Sequence, residues 1–118
     1  MSRWGHSCAR LGDKLVVAGG VSPSFSLLSS TTVLDLSTRQ QREVGEMGAV
    51  RAWFGMAAAE GRLVAFGGTG WPSGRDVWGD IEEWDDEAET WVKTDTSMAT
   101  AMSSFAYLVV NADDICMI

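Results

Sequence analysis

Few side chains in this 118-residue chain could do chemistry, and the sequence keeps them apart. His6 is the only histidine, which excludes a histidine-cluster metal site and leaves a His-based triad without a clear nucleophile. It reads instead as a polar residue at the start of a strand. Asp80, Glu82, Glu83, Asp85, Asp86, Glu87 and Glu89 form an acidic stretch, and paired carboxylates can do acid–base work or bind calcium. The stretch lacks the glycine and closing glutamate of a calcium loop at the required spacing, so it reads as a solvated strand edge and turn, or as a docking site for a basic partner. Gly67-Gly68-Thr69-Gly70 has the look of a phosphate loop, but no Gly-Lys-Ser or Gly-Lys-Thr follows and no helix is expected after it. Cys8 and Cys116 sit in apolar stretches and read as buried free thiols. No catalytic residue, metal site or cofactor is expected.

Charge narrows the partners. Nine Lys and Arg against sixteen Asp and Glu give a formal net charge of −7, which repels phosphate backbones and anionic lipid and favours a basic protein partner. Hydrophobic residues make up 46% and charged residues 21%, a balance that fits a globular unit and excludes a disordered tail or a disulfide scaffold. The N-terminal residues lack a signal-peptide apolar core, no run reaches a membrane span, and the two cysteines fit a reducing, intracellular compartment, with the cytoplasm expected.

The elements that must position these residues come from an internal repeat. Arg3 to Gly20 aligns without gaps on Arg51 to Gly68 at an offset of 48, and Val33 to Thr38 aligns on Glu82 to Glu87 at an offset near 50. A third, half copy runs over 98–118, with Ser103 to Val110 in place of the opening strand. Each unit predicts four short strands: His6 to Leu11, Lys14 to Ala18, Thr31 to Leu36 and Gln41 to Val44, then Phe54 to Ala59, Arg62 to Phe66, Asp80 to Trp84 and Thr90 to Lys93. The second strand of each unit is a continuous apolar run of the kind buried on both faces. Gly12-Asp13 and Glu60-Gly61 are hairpin signals. Helix is the competing reading for Met56 to Glu60, by propensity, and for Ile81, Trp84, Ala88 and Trp91, by spacing. The match between copies favours strand.

The glycine pairs Gly19-Gly20 and Gly67-Gly68 after an apolar strand, Asp35 and Asp85 further on, Trp84, and Thr90-Trp91 six residues past Asp85 resemble the kelch repeat. One departure is Gln41, which stands where the second copy has Trp91. The resemblance implies an all-β fold, a partial kelch β-propeller of four-stranded antiparallel blades: 3–46, 51–95 and a half repeat at 98–118. The glycines would allow close approach of neighbouring blades and positive φ, with Trp84 and Trp91 as plates between them. Two and a half blades do not close a ring, so exposed apolar faces are expected, and with them a fragment of a larger propeller or self-association.

The connections after the glycine pairs are long and carry apolar side chains, and in kelch propellers such loops commonly contact partner proteins. Phe25, Trp71, Arg75 and Trp78 are the expected anchors, because Trp and Arg dominate interface hot spots. Trp78 and Leu27 have the alternative of tucking back over their own blades. Arg3 and Arg51, at matching positions, would either meet an acidic peptide or brace adjacent blades against carboxylates and carbonyls, with bracing favoured. The functional expectation is a non-catalytic protein-interaction module. The alternatives are the substrate-recognition part of a cullin-type ubiquitin ligase adaptor, which would need a BTB-type domain upstream, and a fragment of a galactose oxidase type enzyme. The latter needs two histidines and tyrosines at one copper, and this chain offers His6 and Tyr107.

Overall fold

The computed structural model describes residues 3–70 and 78–98. Within them the chain forms eight strands and no helix: β1 (Ser7–Leu11), β2 (Lys14–Ala18), β3 (Thr31–Asp35), β4 (Gln41–Val44), β5 (Gly55–Ala59), β6 (Arg62–Phe66), β7 (Asp80–Asp85) and β8 (Thr90–Ser97). They build two four-stranded antiparallel sheets, ordered β1-β2-β3-β4 and β5-β6-β7-β8. The half copy at 98–118, apart from Met98, lies outside the described residues.

Local chemistry sets the turns. Gly12 takes φ 60°, and Glu60 and Gly61 take φ 53° and 75°, the signs required by type II′ and I′ hairpins. The helical alternative for Met56 to Glu60 fails because that run ends in the second of these hairpins and pairs along its length with β6. At the β3–β4 and β7–β8 turns an aspartate does the same work twice. Asp35 Oδ1 accepts bonds from the backbone N–H groups of Ser37 and Thr38 at 2.9 and 3.1 Å, and Asp85 Oδ1 from those of Glu87 and Ala88 at 3.0 and 3.1 Å. Asx turns of this kind reverse the chain without glycine. The aspartate turn at 85–88 also interrupts the helical spacing of Ile81, Trp84, Ala88 and Trp91, placing Ile81 and Trp84 on β7, Ala88 in the turn itself and Trp91 on β8.

The core lies between the sheets. Val16, Ala18, Val33 and Met47 from the first side meet Phe54, Met56, Leu63, Ala65, Trp84 and Trp91 from the second. Trp84 and Trp91 cross edge to face with centroids 5.2 Å apart, and the Trp91 indole donates to Thr31 Oγ1 of the other sheet at 2.9 Å. Burying about 150 Å² of such a side chain stabilises by about 4 kcal/mol at about 25 cal/mol per Å². Two ion pairs pin the aspartate-turn end of the seam, Lys14 to Asp86 at 3.0 Å and Arg42 to Glu89 at 2.7 Å.

Three expectations need correction. The second strands are not buried on both faces: Val16 and Ala18 are fully enclosed, but Leu15 and Val17 are half-buried, because each sheet has only one neighbour among the described residues. On that outer side Gln41 is exposed beside Leu15, Val17 and Leu34, so among the described residues no tryptophan plate covers them as Trp84 and Trp91 cover the second sheet. Cys8 is exposed, since β1 is an edge strand whose alternate residues Ser7 and Ala9 turn inward. The acidic stretch is not a solvated edge throughout. Its strand part, β7, is internal to its sheet and Glu82 is buried, while Asp85 to Glu87 remain an exposed turn.

Acid should loosen the seam. The hydrogen bond from Lys14 holds the Asp86 carboxyl below its usual value, with the Trp84 indole assisting, and the hydrogen bonds from Ser37 and Thr38 do the same for Asp35. Groups whose folded values are depressed contribute stability that is complete above the unfolded value and lost as pH falls through the folded one. Thermal midpoints are therefore expected to hold as pH is lowered to about 5 and to drop below about 4, the ordinary carboxylate range. A midpoint unchanged down to about pH 3 would contradict this.

Candidate functional site

Both glycine pairs lie at the same end of the two sheets, and their backbone explains what collects there. Gly19, Gly20, Gly67 and Gly68 have φ of 67°, 95°, 73° and 91°. A Cβ on Gly19 would stand 2.5 Å from the Arg51 carbonyl oxygen and 2.6 Å from the Phe54 ring, so this glycine lets the second unit approach the first. The Gly20 N–H donates to the Arg51 carbonyl at 2.6 Å, and the Arg51 N–H to the Leu28 carbonyl at 3.1 Å.

Arg51 is the bolt of this end. Its side chain is fully buried, and it donates to the Gly67 carbonyl at 2.9 Å, to Asp80 Oδ2 at 2.6 Å and to Glu82 Oε2 at 2.7 Å. The other Glu82 oxygen accepts the Gly48 N–H from the segment that joins the two sheets, at 2.5 Å. Of the two readings of the matched arginines, bracing describes Arg51. Arg3 repeats the pattern in the first unit, donating to the Gly19 and Ser30 carbonyls at 2.9 and 3.2 Å and to Ser30 Oγ at 3.3 Å. Burial lowers its guanidinium from the usual arginine value, with Glu43 working against the shift.

Above the bolt lies an aromatic groove. Trp4, Val21, Phe25, Leu27 and Trp53 line a cavity of about 250 Å³, with no charged residue among the described ones that line it. Trp4 and Phe25 meet edge to face at 5.6 Å and 75°. The three aromatics are exposed: Trp4 by 41%, Trp53 by 44% and Phe25 by 69%.

The backbone that presents them is unusual for such residues. Val21 and Leu27 bridge across a short loop in which the Phe25 N–H donates to the Ser22 carbonyl at 2.9 Å, so Pro23 occupies the second place of a turn and Phe25 follows with φ 64°. That position after a turn ordinarily goes to glycine. Trp53 has φ 52°, and its counterpart one repeat earlier is Gly5 at φ 65°. The Trp53 N–H donates to the Gly5 carbonyl at 2.7 Å, and its ring lies against Gly5, where a Cβ would come within 3.0 Å. A left-handed backbone costs a bulky residue about 1–2 kcal/mol. Two exposed aromatics bear that cost at one groove.

Among the residues singled out from sequence, Phe25 therefore belongs to the groove. Trp78 is half-buried, its indole donating to the Val50 carbonyl at 2.8 Å and its ring covering Gly70, so it ties its connection to the chain between the sheets. Trp71 and Arg75 lie outside the described residues. Trp4 and Trp53 were missed, although the pairing of Trp53 with Gly5 in the repeat alignment was a usable signal. Among the described residues no three His, Cys, Asp or Glu side chains are grouped to hold a metal ion. No family model matches the chain, and no curated protein sequence matches it.

Proposed function

We propose that the chain is part of a kelch-type β-propeller, each sheet one blade, and that it works as a non-catalytic protein-interaction module docking its partner on the groove of Trp4, Phe25 and Trp53. The kelch reading is supported by the first glycine pair at the inter-sheet contact and its repeat at Gly67-Gly68, the repeated aspartate turns and the Trp84–Trp91 pair in the seam. The interaction reading rests above all on Phe25 and Trp53, two exposed aromatics held where glycine would be easier. Backbone strain tends to gather at ligand clamps, where function compensates for it. The partner is basic, in keeping with the formal charge of −7. The half-buried outer faces at Leu15, Val17 and Leu34 and at Val64, Phe66 and Ile81 offer a second mode, self-association.

Phe25→Gly tests the interaction reading. Relief of the left-handed backbone offsets the lost contacts, so stability stays within about 1 kcal/mol of the parent, while loss of a hot-spot aromatic costs about 2 kcal/mol, or roughly thirtyfold, in partner affinity. Denaturant melts and quantitative retention of partners from cell extract measure the two. Unchanged retention, or destabilisation beyond about 2 kcal/mol, would mean that Phe25 only plugs the loop.

A further inference from the structure

The chemistry of the groove specifies more than an apolar contact. Among the described residues three aromatic rings from the two repeat units line it, Trp4 and Phe25 edge to face at 75° and Trp53 contributed across the seam. Among the described residues that line it none carries a charge, and Val21 and Leu27 complete the wall. Its volume of about 250 Å³ is below that of drug-sized sites and suits one side-chain head group. The surrounding molecule carries a formal charge of −7, so its long-range field attracts cations.

We propose that this groove binds a quaternary or trimethylated ammonium group, carried by a basic partner as a trimethyl-lysine side chain. The inference rests on the docking reading above and supplies its ligand chemistry. A primary ammonium brings three N–H donors that need acceptors, and a wall of Trp, Phe, Val and Leu side chains supplies none to replace its water. A trimethylated ammonium has no such donors. Its charge is spread over methyl groups, it sheds water readily, and the faces of Trp and Phe attract it through their quadrupoles. A neutral group of the same shape gains the apolar contact but neither the ring attraction nor the field.

The test is a titration of the full chain followed by nitrogen–proton correlation spectra of the tryptophan indoles. Tetramethylammonium chloride is compared with methylammonium chloride and with neutral tert-butanol at constant ionic strength. The Trp4 and Trp53 signals are expected to move, while those of Trp84 and Trp91, bonded to Asp86 and Thr31, stay in place. Half-saturation with tetramethylammonium should come at a concentration about tenfold lower than with either control, and Trp53→Gly should raise it about tenfold. Equal response to tetramethylammonium and tert-butanol would overturn the cation site and leave a plain apolar docking groove. No response to any probe, with partner retention still sensitive to Phe25→Gly, would also overturn the cation site alone. No response together with insensitive retention would overturn the docking reading as well.

Discussion

Arg51→Ala is expected to destabilise the fold by about 3–5 kcal/mol, the range for removing one partner of a buried ion pair. The loss comes from what remains. Glu82 would stay enclosed with the Gly48 N–H as its remaining donor in this network, the Gly67 carbonyl would lose a donor, and Asp80, whose Oδ1 already makes no hydrogen bond, would lose the bond to its other oxygen. Domains of this size are stable by about 5–15 kcal/mol, so the variant should be partly unfolded at physiological temperature. Arg51→Lys should recover little, because a point charge on a flexible stem cannot serve a carbonyl and two carboxylates at once. The double change Arg51→Met with Glu82→Leu should recover only the part of the loss that comes from the buried Glu82 charge, because the Gly67 carbonyl, Asp80 and the Gly48 N–H still lack their partners. Denaturant midpoints read all three. A loss below about 1 kcal/mol for Arg51→Ala would mean that water reaches this network.

Gly19→Val should be at least as damaging. Its Cβ would lie 2.5 Å from a backbone oxygen, that of Arg51, and 2.6 Å from the Phe54 ring, and a branched residue does not tolerate φ 67°. A backbone oxygen held by the Gly20 N–H cannot step aside, so the two sheets must separate. The expected result is loss of cooperative unfolding and exposure of the Trp84–Trp91 seam to solvent, seen as a red shift of tryptophan emission. Gly12→Val is the control. A Cβ at Gly12 meets nothing within 4 Å, so it carries the strain of φ 60° without the collision and should cost only about 1–2 kcal/mol. Equal losses at the two sites would show that backbone strain, and not inter-sheet contact, is what the glycine pair relieves.

The strands and their turns were legible in the sequence because each boundary has a local cause: Gly12, Glu60-Gly61, Asp35 and Asp85 end their elements by their own backbone chemistry, and the repeat states each boundary twice. What could not be read locally was anything decided across the seam. Glu82 stands in an acidic run and looks solvated, yet it is buried because Arg51, 31 residues away, faces it. Cys8 looks apolar by its neighbours, but the alternation of an edge strand turns it outward. The groove is the clearest case. Trp4 and Trp53 belong to different units, and only the meeting of the sheets brings them to one cavity. Phe25 could be chosen from its loop, whereas Trp78 from the matching loop turned inward onto the Val50 carbonyl.

Site-resolved photo-crosslinking tests the docking face most directly. A photoreactive phenylalanine analogue at Phe25 replaces a residue that is 69% exposed, and one at Thr38 sits in the exposed β3–β4 turn at the opposite end of the sheet. Expressed in cells, the position 25 variant is predicted to give discrete, high-yield adducts to a basic protein, which Trp53→Gly abolishes, and the position 38 variant none. Adducts at Thr38 equal to those at Phe25, or adducts at Phe25 that survive Trp53→Gly, would contradict the account.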